Sequence, residues 1–271
     1  MLSPKDKKGI MLFVGVFATL GLILGAQFAF GNKVKAGADN CVGEVKYNTV
    51  IVLDYTDQIT DQTREEIASR AMMHIHQKVK INERVSVFTI SDISKKSLKP
   101  LVSLCRPPDD GNRAIENVDM IKRRFQKNFE KPIKVALSEA PVESKESPIA
   151  QAIIDISLSQ YLRSTANTLL VYSDMLEHTS KFSLYKCSSA INTITRFRES
   201  RLGAMERPQF INTEIKLNLI PRVEQSRETL KCRDKLWPWF FGDNKGAEAS
   251  VSVDYLPGGE TSNLTVSGKK K

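Results

Sequence analysis

The sequence lacks the patterns that identify several classes of enzyme. It has no glycine-rich loop of the kind that cradles phosphates, and it has only three histidines in 271 residues. His74 and His76 are two residues apart on a predicted helix and face different directions, unlike the pair four residues apart that binds zinc in metalloproteases. We find no plausible pairing of a nucleophile with a histidine. These absences disfavour nucleotide hydrolysis by a phosphate-binding loop, zinc-dependent hydrolysis and triad-type catalysis.

The body of the chain also has little excess charge of either sign. The net charge is +9, but residues 1–38 hold five lysines and one aspartate, and the last three residues are lysines. Residues 39–268 therefore carry an excess of only two positive charges. One predicted helix, at about residues 113–129, is locally basic, but it has no interleaved aromatic residues and no nucleic-acid-binding motif. We expect no nucleic-acid partner.

Long apolar runs are absent except at the N-terminus. Residues 10–30 contain no charged side chain, and 21 residues of helix are long enough to cross a hydrocarbon core of about 30 Å. A cleaved signal peptide is the alternative, with the sequence AGA at residues 36–38 as its cleavage site. We predict a short basic tail at residues 1–9, a transmembrane anchor at 10–30 and a linker at 31–45.

The four cysteines all follow this apolar run. They are Cys41, Cys105, Cys187 and Cys232, and an even number suits two disulfides in an exported domain, although four buried free thiols would also fit the count. Three lysines precede the run and two follow it closely. We therefore expect a single-pass protein of the cytoplasmic (inner) membrane, with its domain on the periplasmic, extracytoplasmic side.

Beyond the linker, strands and helices alternate in the manner of a doubly wound α/β fold. The pattern predicts a mostly parallel sheet in which the most apolar strands, residues 48–54 and 167–174, are central. A short strand at residues 98–105 follows its predecessor too closely for a helical crossover, so it should be antiparallel and at the edge. Both central strands end in an aspartate, which places Asp54 and Asp174 at the carboxyl edge of the sheet, where ligands bind in such folds.

These features resemble a von Willebrand factor A domain, over residues 46–256, followed by a flexible basic tail at 257–271. That family has a metal-ion-dependent adhesion site that begins with Asp-x-Ser-x-Ser. The stretch DYTDQ supplies Asp54 and Thr56 but has Gln58 in place of the last hydroxyl. The stretch ESPIAQAI is similar to the second motif of the family, with Ser147 at its hydroxyl position, and Asp174 takes the place of the third. The resemblance implies an Mg²⁺ site formed by Asp54, Thr56, Ser147 and Asp174.

The resemblance implies a binding module rather than an enzyme. We predict that the membrane-anchored domain engages a protein partner of a multi-subunit assembly in a bacterial envelope. One alternative is a phosphohydrolase with Asp54 as its nucleophile, although such enzymes need a second aspartate two residues on, where this chain has Thr56. The other alternative is a metal-free structural scaffold.

The topology that the resemblance implies also predicts the disulfide pairing. The first strand rises toward the carboxyl edge, so Cys41 should lie near the opposite edge, and the antiparallel strand brings Cys105 to that same edge. Cys187 and Cys232 should lie at one level, in the early turns of helices that follow two successive parallel strands. Of the three possible pairings, we predict Cys41–Cys105 and Cys187–Cys232.

Overall fold

A computed structural model describes seven segments of the chain: residues 4–30, 36–91, 98–113, 116–138, 144–222, 225–242 and 250–257. Contacts group the chain into two compact units, residues 1–37 and residues 38–271. The first unit contains helix α1 (Pro4–Phe30). All other helices and strands belong to the second unit.

The second unit is built on one six-stranded sheet. Its spatial order is β3-β2-β1-β4-β5-β6, and only β3 is antiparallel to its neighbour. The strands are β1 (Tyr47–Leu53), β2 (Arg84–Thr89), β3 (Val102–Cys105), β4 (Ala166–Ser173), β5 (Thr213–Leu219) and β6 (Ser250–Tyr255). The mostly parallel α/β fold and the antiparallel edge strand are thus confirmed. The two most apolar strands, β1 and β4, are central neighbours, because only a strand covered on both faces needs an unbroken apolar run.

Helices lie between the strands along the chain. They are α2 (Asp61–Lys78), α3 (Val118–Phe125), α4 (Lys131–Leu137), α5 (Ile149–Leu158), α6 (Thr193–Ser200) and α7 (Arg227–Phe241). A π-helical turn (Gln126–Glu130) joins α3 to α4. The side chain of Thr60 caps the N-terminus of α2 by accepting a hydrogen bond from the Thr63 N–H at 3.1 Å, which fixes where the loop after β1 ends.

Alternate side chains of each central strand enter two separate hydrophobic cores. Val50 and Val52 of β1 pack in one core with residues of α5, α6 and α7. Ile51 and Leu53 pack in the other core with residues of α2, α3 and α4. All four side chains have no exposed surface, as expected for a strand with period-two side chains and helices on both faces.

Helix α7 runs further than the sequence indicates. The sequence predicts an end near Pro238, because a proline usually breaks a helix. The helix instead continues through this proline to Phe241, and the Gly242 N–H donates to the Pro238 carbonyl at 2.9 Å. A proline inside a helix costs one hydrogen bond. Here Trp237, Phe240 and Phe241 are all buried, and the burial of these large side chains offsets that cost.

Both predicted disulfides are confirmed. Cys41 is bonded to Cys105 with a Cα–Cα distance of 4.9 Å, and Cys187 is bonded to Cys232 with a distance of 6.4 Å. One expectation about their surroundings was wrong, since Cys187 follows a 3₁₀ turn and precedes α6 instead of lying in it. Residues 39–44, predicted as linker, are hydrogen-bonded to the sheet region, for example through the Cys105 N–H and the Asp39 carbonyl at 2.8 Å.

The predicted membrane anchor, residues 10–30, falls within α1. Side chains of that helix are described at residue 11 and at residues 13–25. In the part of the chain that the structure describes, no helix is both long and apolar enough to span a bilayer.

Candidate functional site at the carboxyl edge of the sheet

The pairing of β1 with β4 brings the predicted site residues to one place. Asp54 directly follows β1 and donates its N–H to the carbonyl of Tyr172 in β4 at 2.9 Å. Asp174 directly follows β4 at the same edge of the sheet. The two residues are only 6% and 4% exposed. Two carboxylates are thus buried at the carboxyl ends of neighbouring central strands.

Hydroxyl groups from three segments surround the Asp54 carboxylate. Thr56 Oγ1 donates to Oδ1 at 2.6 Å, and Ser173 Oγ donates to Oδ2 at 2.6 Å. Ser147 Oγ lies 3.4 Å from both oxygens. The backbone of Ser147 is held by two hydrogen bonds with His178, of 2.7 and 3.0 Å, so the loop before α5 is tied to the loop after β4. Asp54, Thr56 and Ser147 therefore meet as predicted from the sequence.

The fourth predicted ligand, Asp174, faces a different partner. Its Oδ1 accepts the Leu176 N–H at 2.9 Å, and its Oδ2 accepts Arg222 Nε at 2.8 Å. The guanidinium of Arg222 also lies 3.5 Å from the Asp57 carboxylate and donates to the Gln58 carbonyl at 3.0 Å. The side chain of Arg222 is only 8% exposed. A buried arginine thus joins the loop after β1 to the loop after β4.

Burial sets the electrostatics of this edge. The pKa of the Asp174 carboxyl is raised to about 6, first by burial and then by the charge of Asp54, against the lowering effect of Arg222. Burial also raises the pKa of Asp54, against the effect of its bonds from Ser173 and Thr56. Two buried carboxylates at one edge each disfavour ionisation of the other, and a cation nearby relieves this. Arg222 is that cation.

This arrangement does not fit the predicted Mg²⁺ site. The carboxylates and hydroxyls are of the right chemical kind for a hard cation, but the carboxylate of Asp174 is held by Arg222. Within the described residues no group of three or more His, Cys, Asp or Glu side chains could hold a metal ion. The positive charge beside the Asp174 carboxylate is that of a guanidinium.

Three residues of this edge were not predicted from the sequence: Arg222, Ser173 and Glu177. The buried carboxylate of Glu177 accepts the Ala150 N–H at 2.8 Å, in the first turn of α5. Burial raises the pKa of Glu177 to about 8, against the effects of this hydrogen bond and of the charge of Arg201. Only their positions in the sequence could have indicated them. Arg222 comes three residues after the end of β5, and Glu177 comes four residues after the end of β4. Both strands are parallel, so both residues follow the carboxyl edge of the sheet.

The accessible part of this edge is built on the buried cluster. Asp57 has 43% of its side chain exposed, and the Tyr185 hydroxyl donates to its Oδ2 at 3.0 Å. Tyr185 is 38% exposed and contacts the ring of His178 edge-on, with ring centroids 5.5 Å apart. We call Asp57, Tyr185 and the loops at residues 54–60 and 174–186 the carboxyl rim.

Comparisons with known proteins leave the family open. No family model matches the chain, and no curated protein is significantly similar to it. Among solved structures, the chain is similar to the human COPII-coat protein Sec24c, with 9% sequence identity and a TM-score of 0.34. The match covers 82% of this chain and 31% of that protein, so the chain spans less than a third of its length. A likeness at this level says nothing about function.

Proposed function

We propose that the chain is a von Willebrand A-like binding module that engages a protein partner through the carboxyl rim. The carrying observation is the buried cluster in which Arg222 joins Asp174 to the loop of Asp57 and Gln58. Such a cluster holds loops from different strands in a fixed arrangement without serving either hydrophobic core. In open α/β sheets this edge is where ligands bind.

The rim offers a partner polar recognition on a rigid base. Asp57 presents an accessible carboxylate whose orientation is set from two sides, by Arg222 and by the hydroxyl of Tyr185. Tyr185 adds an aromatic ring of the kind that is enriched at protein interfaces. A preorganised rim loses less conformational entropy on binding than mobile loops would.

The proposal places this module in an envelope-associated assembly of a bacterium. The charge-free run at residues 10–30 supports an anchor in the cytoplasmic membrane, and the two disulfides support a domain on its oxidising, extracytoplasmic side. An anchored domain meets its partners in two dimensions, which raises their effective concentration.

The phosphohydrolase alternative has less support from the geometry. Both oxygens of Asp54 accept hydrogen bonds, from Thr56 and Ser173, and the residue is buried. No carboxylate follows at the second position on, where the acid–base group would be needed. We expect no hydrolysis of phosphate esters above that of the Asp54→Asn variant, and Mg²⁺-dependent turnover that this variant loses would favour the enzyme.

The test of the binding function is co-purification. The full-length protein is isolated from its native membrane in mild detergent, and the proteins that accompany it are identified with and without a chelator. We expect Asp57→Asn and Tyr185→Ala to lose the partner, and the control Asp119→Asn, on α3, to keep it. Because Arg222 supplies the charge, the chelator should not release the partner. Retention of the same proteins by both rim variants would contradict the proposal, and release by the chelator would favour a metal-dependent rim.

A further inference from the structure

The last strand, β6, forms one edge of the sheet and has an unusual surface. Within the described residues it pairs on one side only, with β5. Val251, Val253 and Tyr255 alternate along it and are 41%, 50% and 61% exposed. Native proteins usually protect such edges with charges, prolines or bulges, because an open edge pairs readily with another strand.

Within the described residues, the backbone hydrogen-bonding groups of β6 that do not face β5 belong to these same three residues. Leu256 donates its N–H to the Leu219 carbonyl of β5 at 2.9 Å. In a strand the N–H and C=O groups of one residue point to the same side, and those of the next residue point to the other side. The backbone groups of the even-numbered residues of β6 therefore face β5. Val251, Val253 and Tyr255 therefore direct their N–H and C=O groups away from the sheet.

We propose that two copies of this chain associate through β6, in antiparallel pairing about a two-fold axis at Val253. The proposal is independent of the function of the carboxyl rim. It would join the two six-stranded sheets into one continuous sheet, as in other interfaces formed by the addition of a strand. The interface would be isologous, with each β6 contributing the same residues.

The strand is complementary to itself in this register. Val253 lies opposite Val253 of the second copy, and Val251 lies opposite Tyr255 of the second copy. Each residue whose backbone groups point away from the sheet therefore pairs with another such residue, and the two exchange both backbone hydrogen bonds. Pairs of an aromatic with a β-branched side chain are favourable across strands. A shift of the axis to Ser252 would leave Tyr255 without an apolar partner in β6. Only the register centred on Val253 uses all three exposed apolar side chains.

The charge pattern suits a second copy as well. Asp254 is the only charged residue of β6, and in the register centred on Val253 it faces Ser252 of the other copy and not its own counterpart. No like charges are then directly opposed. The exposed side chains Val251, Val253 and Tyr255 lie on the same sheet face as Ile215, Leu217 and Leu219, their register partners in β5, which belong to the hydrophobic core. Pairing would extend that core across the junction.

The expected association is weak. One six-residue strand from each copy buries far less than the roughly 1,200–2,000 Å² of a standard stable interface. Dimer formation should therefore depend on concentration, and anchoring in a membrane would promote it.

Val253 allows a sharp test, because it lies on the two-fold axis and is opposite Val253 of the second copy. The full chain is studied in detergent by sedimentation over a range of concentrations. We expect the native chain to dimerise, and Val253→Lys and Val253→Glu each to weaken dimerisation by about tenfold or more, since like charges then oppose. An equimolar mixture of the two variants should recover dimers, each holding one copy of either variant. A control, Ile191→Lys, changes an apolar residue that is 86% exposed elsewhere and should dimerise as the native chain does.

Several results would overturn the proposal. The native chain could stay monomeric at every concentration, or each single variant could dimerise as the native chain does. The mixture of the two variants could also stay monomeric although both variants melt like the native chain. A chain that dimerises only after removal of residues 258–271 would also overturn it, because its own C-terminal segment would then occupy the edge.

Discussion

Arg222 is the residue that decides the chemistry of the carboxyl rim. A buried carboxylate that loses the cation bonded to it is left uncompensated, and breaking a buried ion pair in this way typically costs about 3–5 kcal/mol. Asp174 is 4% exposed and accepts Nε of Arg222 at 2.8 Å. The guanidinium therefore contributes to folding as well as to the shape of the rim.

The first prediction follows from this charge. Arg222→Gln should lower the free energy of unfolding by about 3–5 kcal/mol. Millimolar Mg²⁺ should then raise the melting temperature of the variant, because two carboxylates and several hydroxyls remain after the guanidinium that bonds Asp174 is removed. The same Mg²⁺ should not change the melting temperature of the native chain or of the control Arg196→Gln. Stabilisation of the native chain by Mg²⁺, lost in Asp54→Ala, would instead show that a metal ion binds beside the arginine.

Glu177 provides a pH dependence with a definite sign. Its pKa is raised from 4.5 to about 8 in the folded protein, mainly by burial. Between these values the folded state holds a proton that the unfolded state has lost, so folding becomes less favourable as the pH rises through this window. A single group of this kind changes the stability by at most about 1.4 kcal/mol per pH unit.

The second prediction isolates this group. The pKa of Asp174 is about 6 and the pKa of Asp54 is raised by burial as well, so the share of Glu177 is the difference between the native chain and Glu177→Gln. The melting temperature of the native chain should fall between pH 6 and 8, and Glu177→Gln should flatten the decline, because an amide can still accept the Ala150 N–H without a charge. Melting curves at pH 6, 7 and 8 measure this, with Glu146→Gln as an exposed control. An equally steep decline in Glu177→Gln would show that another group titrates.

At the scale of elements, the second disulfide and Trp237 connect α7 to the loop after β4. Cys187 and Cys232 are bonded across 45 residues of sequence, and Trp237 Nε1 donates to the Met175 carbonyl at 2.7 Å. Met175 itself has a positive φ of 59°, a conformation that non-glycine residues adopt rarely. Contacts with α7 thus hold the β4 end of the rim in a strained turn.

The third prediction concerns this disulfide. Replacing Cys187 and Cys232 together with alanine should lower the free energy of unfolding by about 2–5 kcal/mol, because the unfolded chain gains entropy. It should also weaken partner binding at the rim, which the loop after β4 helps to form. Cys41 and Cys105 lie at the end of the sheet away from the carboxyl rim. Replacing them should lower the free energy of unfolding to a similar extent but leave partner binding unchanged at temperatures where the protein is folded. Non-reducing peptide mapping must first recover both native pairs; free thiols or a different pairing would refute the assignment.

At the scale of the whole molecule, the two compact units have different expected roles. The first contains α1, with the charge-free run at residues 10–30, and the second contains the sheet and the rim. A spanning helix binds a bilayer far more tightly than a single lipid anchor or an interfacial helix does.

The fourth prediction tests that division. The full chain should sediment with membranes and resist extraction by alkaline carbonate, whereas a chain that starts at residue 38 should stay in the soluble fraction. Protease added outside spheroplasts should digest the domain of the full chain. A full chain found in the soluble fraction would indicate that residues 10–30 are removed as a signal peptide or do not insert.

The sheet could be predicted because its signals are local. Residues 48–54 and 167–174 are apolar on both faces, and only a central position covers both faces of a strand. The antiparallel direction of β3 followed from the short connection between β2 and β3. The disulfide pairing followed from the end of the sheet at which the topology implied by the resemblance places each cysteine. The continuation of α7 through Pro238 was missed, since local propensity ends a helix at proline and the buried aromatic residues override it.

The sequence by itself determined the two central strands and the antiparallel edge strand, because these follow from hydrophobic patterning and from the length of one connection. The resemblance that these patterns carry then predicted both disulfides and the meeting of Asp54, Thr56 and Ser147. Only the tertiary structure decided what neutralises the site. Arg222 contacts Asp174 across 48 residues and Gln58 across 164, and no local pattern marks an arginine that will be buried between two loops. The partner of a buried carboxylate depends on which side chain can reach it once the strands are aligned.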